Sequence, residues 1–193
     1  MKERPIIFST ESVRAILDGR KTQTRRVVPL DWRNDAPYVV VNDFGDYKPL
    51  KDVCKFGKPG DRLWVREKWR KFDANFDCQC LEQCSCARYP YRYAADYPAD
   101  EEWGIWKSPL FMPRKFSRLT LEITDVRCER LQDISWNDCI QEGTFQFHGY
   151  IDEHGIRSEG KRLFSEMWNT INAKRGFGWD TNCWVWAISF KKI

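Results

Sequence analysis

Residues 18–26 form a short basic segment, DGRKTQTRR, that directly follows the amphipathic stretch STESVRAIL. Four cationic side chains and two threonines lie within these nine residues. Arginine and lysine side chains contact anionic ligands, and a threonine hydroxyl becomes a nucleophile when a base activates it. Two interpretations follow from the residues alone: a solvated basic turn, or an active site.

A second segment whose side chains could carry a function is CQCLEQCSC. It holds four cysteines within nine residues: Cys78, Cys80, Cys84 and Cys86. Four thiolates suit one tetrahedral Zn²⁺, and a site closed by four sulfurs is structural. Such a site could fasten an insertion that has little core of its own. The spacing is tighter than the usual C-x2-C pairs, so free thiols are the alternative. Further candidate ligands are Cys54, His148 and His154.

The segment GDRLWVRE alternates like a strand and places Trp64 and Arg66 on one face, with Glu67 opposite. A nucleobase can stack on an indole while an arginine and a carboxylate hold its edge, as in readers of single-stranded or flipped bases. The alternative is that the tryptophans here fill the core, as large aromatic residues usually do. We assign Trp184 and Trp186, which alternate with small apolar residues, to packing.

The composition describes a chain that folds around a core. Hydrophobic residues make up 42% of its 193 residues, and we predict one domain over 1–193 with a Cys-rich insertion around 72–104. The net charge is only +4, from 32 basic and 28 acidic residues. This balance argues against non-specific coating of duplex DNA but permits a local basic patch beside a polar pocket.

Targeting signals are not evident in the sequence. No apolar run approaches the roughly 18 residues of a membrane span, and the start, MKERPIIFSTESV, has no apolar signal core. We therefore predict a cytoplasmic protein, in the host cytoplasm if a phage encodes it. In that reducing compartment the eight cysteines are thiols or metal ligands rather than disulfides.

Capping residues and terminating glycines predict three helices. The first begins after Ser9 or Thr10 and ends at Gly19, which puts 21–26 on a loop that enters the next strand. The segment ISWNDCIQEG predicts a two-turn helix with Ser135 as its cap and Gly143 as its stop. A flexible loop over 144–157 and a longer helix over 158–172 follow. The apolar face of that helix comprises Leu163, Phe164, Met167, Trp168 and Ile171.

Strands are predicted at 38–41, at 61–67, within 117–131 and at 183–193, where β-branched and aromatic residues alternate with polar ones. Several strands, two or three helices and no regular βαβ alternation predict an α+β domain. Its centre would be a small, largely antiparallel β-barrel with flanking helices.

The runs ILDGRKTQTRR, GDRLWVRE, LEITDVRCERLQDIS, IQEG and WVWAISFKKI occur in this order. Together they resemble the ASCH family of PUA-like domains, most closely its bacteriophage and prophage branch. The resemblance implies a PUA-like β-barrel with flanking helices and a cleft associated with RNA or modified nucleosides. It excludes most of 72–104 and 144–157.

One bacterial branch of that family consists of small amidohydrolases that remove the acyl group from N4-acetylcytidine. The resemblance implies a catalytic set of Lys21 and Thr24 in the GRKTQTRR segment and Glu142 in IQEG. Arg20, Arg25 and Arg26, together with Trp64, Arg66 and Glu67, are then the expected substrate-binding residues. This chain is longer than those enzymes and carries a Cys-rich insertion that they lack, which would reshape the cleft.

These residue types fit amide hydrolysis. A lysine desolvated beside arginines favours its neutral form and can act as a base toward a threonine hydroxyl, while a glutamate positions the base or shuttles a proton. Catalysis would need no cofactor, and the partner would be a modified nucleoside or single-stranded nucleic acid, without a membrane. The alternative is a non-catalytic module that binds RNA, DNA or a modified base. A nuclease is a third interpretation, which no HExxH, Walker loop or carboxylate metal cluster supports.

Overall fold

A computed structural model describes residues 1–28, 38–40, 47–72, 91–97, 105–143 and 153–193. The five strands of the main sheet are β1 (Glu3–Ile7), β2 (Gln23–Val27), β5 (Arg62–Arg66), β8 (Thr120–Arg130) and β9 (Trp184–Lys192). Two small antiparallel pairs accompany them. One joins β3 (Tyr38–Val40) to β4 (Tyr47–Pro49), and the other joins β6 (Trp69–Lys71) to β7 (Tyr91–Tyr93).

The main sheet has the strand order β1-β5-β8-β9-β2, and only the β1–β5 pair is parallel. This confirms the predicted α+β class with a largely antiparallel sheet. The predicted closed barrel is not observed among the described residues, because β1 and β2 form the two edges of the sheet and do not pair. We call the place where these two edge strands approach each other the seam. A side chain bridges it: Arg26 Nη2 on β2 donates a hydrogen bond to the Ile7 carbonyl oxygen on β1 over 2.6 Å.

Helix α1 (Thr10–Leu17) is capped by Ser9, whose hydroxyl accepts a hydrogen bond from the Ser12 amide at 3.2 Å. It ends before Gly19, which adopts a left-handed φ of 75°. The helix therefore agrees with the prediction. The segment after it does not, because Thr24, Arg25 and Arg26 lie on β2 rather than on a loop. Backbone pairing with β9, from Gln23 opposite Ser189 to Val27 opposite Val185, extends the strand through them.

The strands predicted at 38–41, 61–67, 117–131 and 183–193 all form, with the bounds given above. In β5, Leu63 and Val65 are fully buried, and Leu119, Leu121 and Ile123 are buried in and before β8. These residues pack with Val13 and Ile16 of α1 into one core cluster. The alternation read from the sequence thus marks the buried face of the sheet correctly.

Helix α2 (Trp136–Gln141) has a capping box in which Ser135 and Asp138 exchange hydrogen bonds, and Gly143 follows it with φ of 70°. Helix α3 covers Glu153–Asn172. The loop predicted over 144–157 is therefore wrong for 153–157, and 144–152 lies outside the described residues. A glycine such as Gly155 costs a helix about 1 kcal/mol, which does not stop propagation from a well-packed C-terminal part.

The second core cluster lies where α2 and α3 pack on the sheet. Phe164 and Trp168 are buried against Ile134, Cys139 and Val185. Ile171, predicted on the same apolar face, is 55% exposed, because it lies in the last turn of α3 at the rim of a cavity. Within the ranges that the structure covers, no helix has the length and apolar character needed to cross a membrane.

Candidate active site

A cavity of about 410 Å³ opens at the seam between the two edge strands of the main sheet. The end of β1, most of β2, the end of α2 and one face of α3 form its walls. Its polar and charged lining residues are Ser9, Ser12, Lys21, Thr24, Arg25, Arg26, Lys55, Glu142, Asn172 and Arg175. The open seam therefore creates a concave site where a closed barrel would have had paired backbone.

Lys21 and Glu142 meet in this cavity although 121 residues separate them in the chain. The Lys21 Nζ lies 2.6 Å from Glu142 Oε2 and donates a second hydrogen bond to the Glu142 carbonyl oxygen at 2.8 Å. Both side chains are only 3% exposed. A fully buried lysine–carboxylate pair is costly to desolvate and is much rarer than a surface ion pair, which makes it a candidate for function.

Backbone contacts hold the two segments of this pair together. The Thr22 amide donates to the Gln141 carbonyl oxygen at 2.8 Å, which ties the start of β2 to the end of α2. Gly143 lies directly behind Lys21: a Cβ at position 143 would be 2.9 Å from the Lys21 Cβ and 3.1 Å from the Ala15 Cβ. Only glycine fits this close approach, and its positive φ is also one that other residues rarely adopt.

Arg25 crosses the same site and is fully buried. Its Nη1 lies 3.3 Å from Glu142 Oε1, and its Nη2 contacts the carboxylates of Glu129 and Asp138. Burial raises the pKa of Asp138, but hydrogen bonds from Ser135 and Arg127 and the charge of Arg25 outweigh it, so this pKa lies far below its usual range. The network fixes Glu142 from the side opposite Lys21.

Several neighbours perturb the protonation of Lys21. Burial is the largest effect and lowers the pKa of Lys21 below its usual value, while the Glu142 carboxylate raises it. The positive charges of Arg26 and Arg25 lower it further. The net direction is downward, because the amine is fully desolvated. A lysine in this environment can reach its neutral form closer to physiological pH than a solvated lysine does.

Thr24 lies on β2 opposite Ile188 of β9 and is 4% exposed. It lines the same cavity as Lys21 and Glu142. Its hydroxyl makes no hydrogen bond to any residue that the structure describes. The cavity therefore brings together a buried amine, a buried carboxylate and a hydroxyl available to a ligand.

The predicted binding residues divide into two groups. Arg25 and Arg26 line the cavity, whereas Arg20, Trp64, Arg66 and Glu67 do not. Arg20 pairs with Asp18 at 2.8 Å on the surface. The Arg66 guanidinium stacks on Trp64 with its carbon 4.6 Å from the ring centre.

Glu67 is engaged elsewhere in the fold. Its two carboxylate oxygens accept hydrogen bonds from Arg118 at 2.9 and 3.0 Å. Burial raises the pKa of Glu67, an effect that Arg118 opposes. The structure therefore gives Glu67 a buried ion pair away from the cavity.

The predicted zinc ligands Cys78, Cys80, Cys84 and Cys86 lie outside the described residues, as does most of the predicted insertion. In the parts of the chain that are described, no cluster of three or more His, Cys, Asp or Glu residues could hold a metal ion. Cys139 is buried and Cys128 is half-buried. The zinc site stays a prediction.

Sequence reasoning missed several residues of the cavity. Lys55, which follows the 3₁₀ turn at Leu50–Val53, and Arg175, just after α3, bring two further cations to its rim. Phe8, Phe56, Phe164 and Trp168 supply aromatic walls. No local pattern marks these positions as functional, because each joins the site only through the fold.

Two solved structures align with nearly the whole chain. An ASCH domain from Lactobacillus crispatus JV V101 is similar at 12% identity over 99% of this chain and 79% of its own length, with a TM-score of 0.39. Protein EF3133 from Enterococcus faecalis V583, of the family DUF984, is similar at 10% identity over 100% of this chain and 81% of its own length, with a TM-score of 0.41. No protein-family model matches the sequence. No curated protein matches it either.

Proposed function

We propose that this protein is an amidohydrolase that removes an acyl group from the exocyclic amine of a modified nucleobase, such as N4-acetylcytidine. The observation that carries the proposal is the convergence of Lys21, Thr24 and Glu142 in one cavity, with Lys21 Nζ 2.6 Å from Glu142 Oε2. The substrate class follows from the resemblance of the sequence motifs to the ASCH family. The cavity volume of about 410 Å³ lies within the range of small-molecule sites.

The first half-reaction forms an acyl-threonine. The Thr24 hydroxyl oxygen attacks the acyl carbonyl carbon, and neutral Lys21 accepts the hydroxyl proton. The carbon–nitrogen bond then breaks, and the proton passes from Lys21 to the leaving nitrogen. The free nucleobase amine departs, and Thr24 carries the acyl group as an ester.

The second half-reaction restores the enzyme. Neutral Lys21 takes a proton from water, the resulting hydroxide attacks the ester carbonyl, and the carbon–oxygen bond to Thr24 breaks. The proton returns to the Thr24 oxygen, and the acid is released. Glu142 positions the amine throughout, because its side chain and its backbone carbonyl both accept hydrogen bonds from Lys21 Nζ.

Aromatic residues support a planar substrate. Phe8, Phe56, Phe164 and Trp168 line the cavity, and aromatic rings bind nucleobases by stacking with little dependence on sequence. A base held between them would present its acylated amine to the buried Lys21 and Thr24.

Product analysis tests the proposal. We expect the purified protein to convert N4-acetylcytidine and related N4-acylated cytidines into cytidine and the free acid, measured by chromatography. An amide of a simple alkylamine with the same acyl group is the control, and we expect it to react much more slowly because it cannot stack. Tight binding of the nucleosides with no acid released would contradict hydrolysis.

The pH dependence of kcat/KM gives a second test. Because the base must be neutral, the rate should rise with pH along a limb set by the pKa of Lys21 in the free enzyme. Burial places this limb below the usual pKa of lysine. Arg26 lowers the same pKa, so Arg26→Gln should move the limb to higher pH. A limb at the ordinary lysine pKa, or one that Arg26→Gln moves to lower pH, is the contrary result.

A non-catalytic module that binds a modified base or single-stranded RNA is the second candidate. The cations and aromatic rings that share the cavity favour it, since stacking and phosphate contacts suffice for binding. Salt-dependent binding of single-stranded oligonucleotides, with no product in the assay above, would establish this function instead.

A further inference from the structure

Three cations of the cavity make no ion pair with any carboxylate in the described parts of the chain. They are Arg26 on β2, Lys55 and Arg175. The other two cations of the cavity are neutralised: Lys21 pairs with Glu142, and Arg25 contacts three carboxylates. The unbalanced positive charge of the cavity therefore lies on Arg26, Lys55 and Arg175, and Arg26 is close enough to the Lys21–Glu142 pair to affect the pKa of Lys21.

Arg26 is held rigidly in this cluster. Its guanidinium carbon lies 5.0 Å from the centre of the Phe8 ring and 5.9 Å from that of Phe56, and its Nη2 donates to the Ile7 carbonyl oxygen. Its Nε is buried and has no hydrogen-bond partner among the described residues. Burial lowers the pKa of Arg26 to about 10, an effect that Glu142 opposes and the charge of Arg175 reinforces. The guanidinium groups of Arg26 and Arg175 thus repel each other across the cavity.

The other two cations lie at the mouth. Lys55 and Arg175 are both exposed, and Lys55 Nζ lies 5.1 Å from the centre of the Phe56 ring. Arg175 Nη1 donates a hydrogen bond to the Oδ1 of Asn172 at 3.3 Å, and Asn172 is itself buried in the cavity wall. The rim is therefore cationic, while the floor carries Lys21, Thr24 and Glu142.

We propose that Arg26, Lys55 and Arg175 form a phosphate subsite, so that the ligand of the cavity is a phosphorylated nucleoside rather than a free one. The phosphate would lie at the rim and the base at the floor. This inference rests on the proposed function for the identity of the base. Either a mononucleotide or a nucleotide within a single strand supplies the same phosphate chemistry.

The donor set favours phosphate over a simple carboxylate. Two guanidinium groups and one ammonium line the cavity, and such groups bind phosphate oxygens through charge-assisted hydrogen bonds. A phosphate monoester carries a charge of about −1.5 to −2 at neutral pH and offers three strong acceptor oxygens. It therefore offers one acceptor oxygen for each of the three cations, which a single carboxylate does not.

The test measures binding without turnover. Cytidine and cytidine 5′- and 3′-monophosphates are titrated into the protein at constant ionic strength, with binding followed by calorimetry. We expect at least one monophosphate to bind at least about tenfold more tightly than cytidine, since hydrogen bonds to charged groups are the strong ones. Arg175→Gln and Arg26→Gln should remove most of this gain, and Arg175→Gln should leave cytidine binding within about twofold of wild type.

Lys174→Gln is the matched control, because it removes the same charge one residue away from Arg175 and Lys174 does not line the cavity. This variant should keep the gain. If both monophosphates and cytidine bind equally, or if Lys174→Gln loses as much as Arg175→Gln, the subsite is overturned. Inorganic phosphate serves as a base-independent probe: failure to bind either it or the nucleotides in an Arg175-dependent way also overturns the proposal.

The proposed hydrolysis and the proposed phosphate subsite can be contradicted independently of each other. Acyl release without any nucleotide preference would overturn the subsite and keep the amidohydrolase. Arg175-dependent nucleotide binding with no acyl release would keep the subsite and overturn the amidohydrolase. A short oligocytidylate distinguishes the two sources of phosphate: tighter binding than the monophosphates, with a steeper salt dependence, assigns the ligand to a strand, and equal binding assigns it to a mononucleotide.

Discussion

Replacing Thr24 with valine should lower the rate of acyl-nucleobase hydrolysis by about 10³-fold and leave ligand binding nearly unchanged, because it removes only the nucleophilic oxygen. Valine keeps the branched shape that suits β2, and the hydroxyl that it replaces has no hydrogen bond to the described residues. The fold should therefore tolerate the change. The measurement is kcat for release of the free acid, with binding followed by calorimetry.

Lys21→Met should lower kcat to a similar extent, since it removes the proposed base. The control is Lys191→Met, which removes an exposed lysine from an ion pair with Glu122 at 3.1 Å. This variant should retain wild-type activity. If Thr24→Val keeps more than about a tenth of the wild-type rate, Thr24 is not the nucleophile and a water molecule must attack directly.

Replacing Glu142 with glutamine should lower the free energy of unfolding by about 3–5 kcal/mol, the usual cost of leaving a buried charge without its partner. Glu142 is the carboxylate that Lys21 and Arg25 share, at 2.6 and 3.3 Å. Its removal leaves the buried Lys21 amine without a carboxylate partner, while Arg25 keeps Glu129 and Asp138. Lys21→Met should cost less, because Glu142 then still has Arg25.

Chemical denaturation measures this difference. The matched control is Glu122→Gln, which breaks the exposed pair with Lys191 and should cost no more than about 1 kcal/mol. An equal effect of Glu142→Gln and Glu122→Gln would show that the Lys21–Glu142 contact contributes no more than a surface pair. A larger effect of Lys21→Met than of Glu142→Gln would contradict the central role of Glu142 in holding two cations.

Local signals in the sequence predict the helices that bound the site. Ser9 and Gly19 delimit α1, and Ser135, Asp138 and Gly143 delimit α2, because capping is decided by residues that are neighbours in the chain. The buried face of β8 follows equally from its alternation. Such short-range chemistry needs no knowledge of the fold.

Contacts between distant segments of the chain cannot be predicted from such local signals. Thr24 and Arg25 belong to β2 only because β9 pairs with them, and nothing between 18 and 26 indicates that partner. Glu129 and Asp138 neutralise Arg25, so this residue supports Glu142 instead of offering a free charge to a ligand. The sequence predicts cationic residue types here, whereas tertiary pairing decides which cations stay available.

The open seam between β1 and β2 is another feature that no sequence pattern predicts. Alternating strands predict a sheet, but whether its two edges pair depends on tertiary packing that the alternation does not encode. Trp64 illustrates the same limit, since a tryptophan beside an arginine suggests base stacking and the structure instead buries it at 8% exposure under Arg66.

The pairing of β2 with β9 determines when the proposed site can form during synthesis of the chain. Among the described strands, β2 is hydrogen-bonded to β9 alone, so Thr24 cannot be set in place until residues 184–192 have left the ribosome. Lys21 likewise gains its ion-pair partner only after Glu142 has been synthesised. A nascent chain that contains only its first half therefore carries the GRKT segment without its tertiary partners, and the proposed site is complete only when translation has supplied the last strand of the sheet.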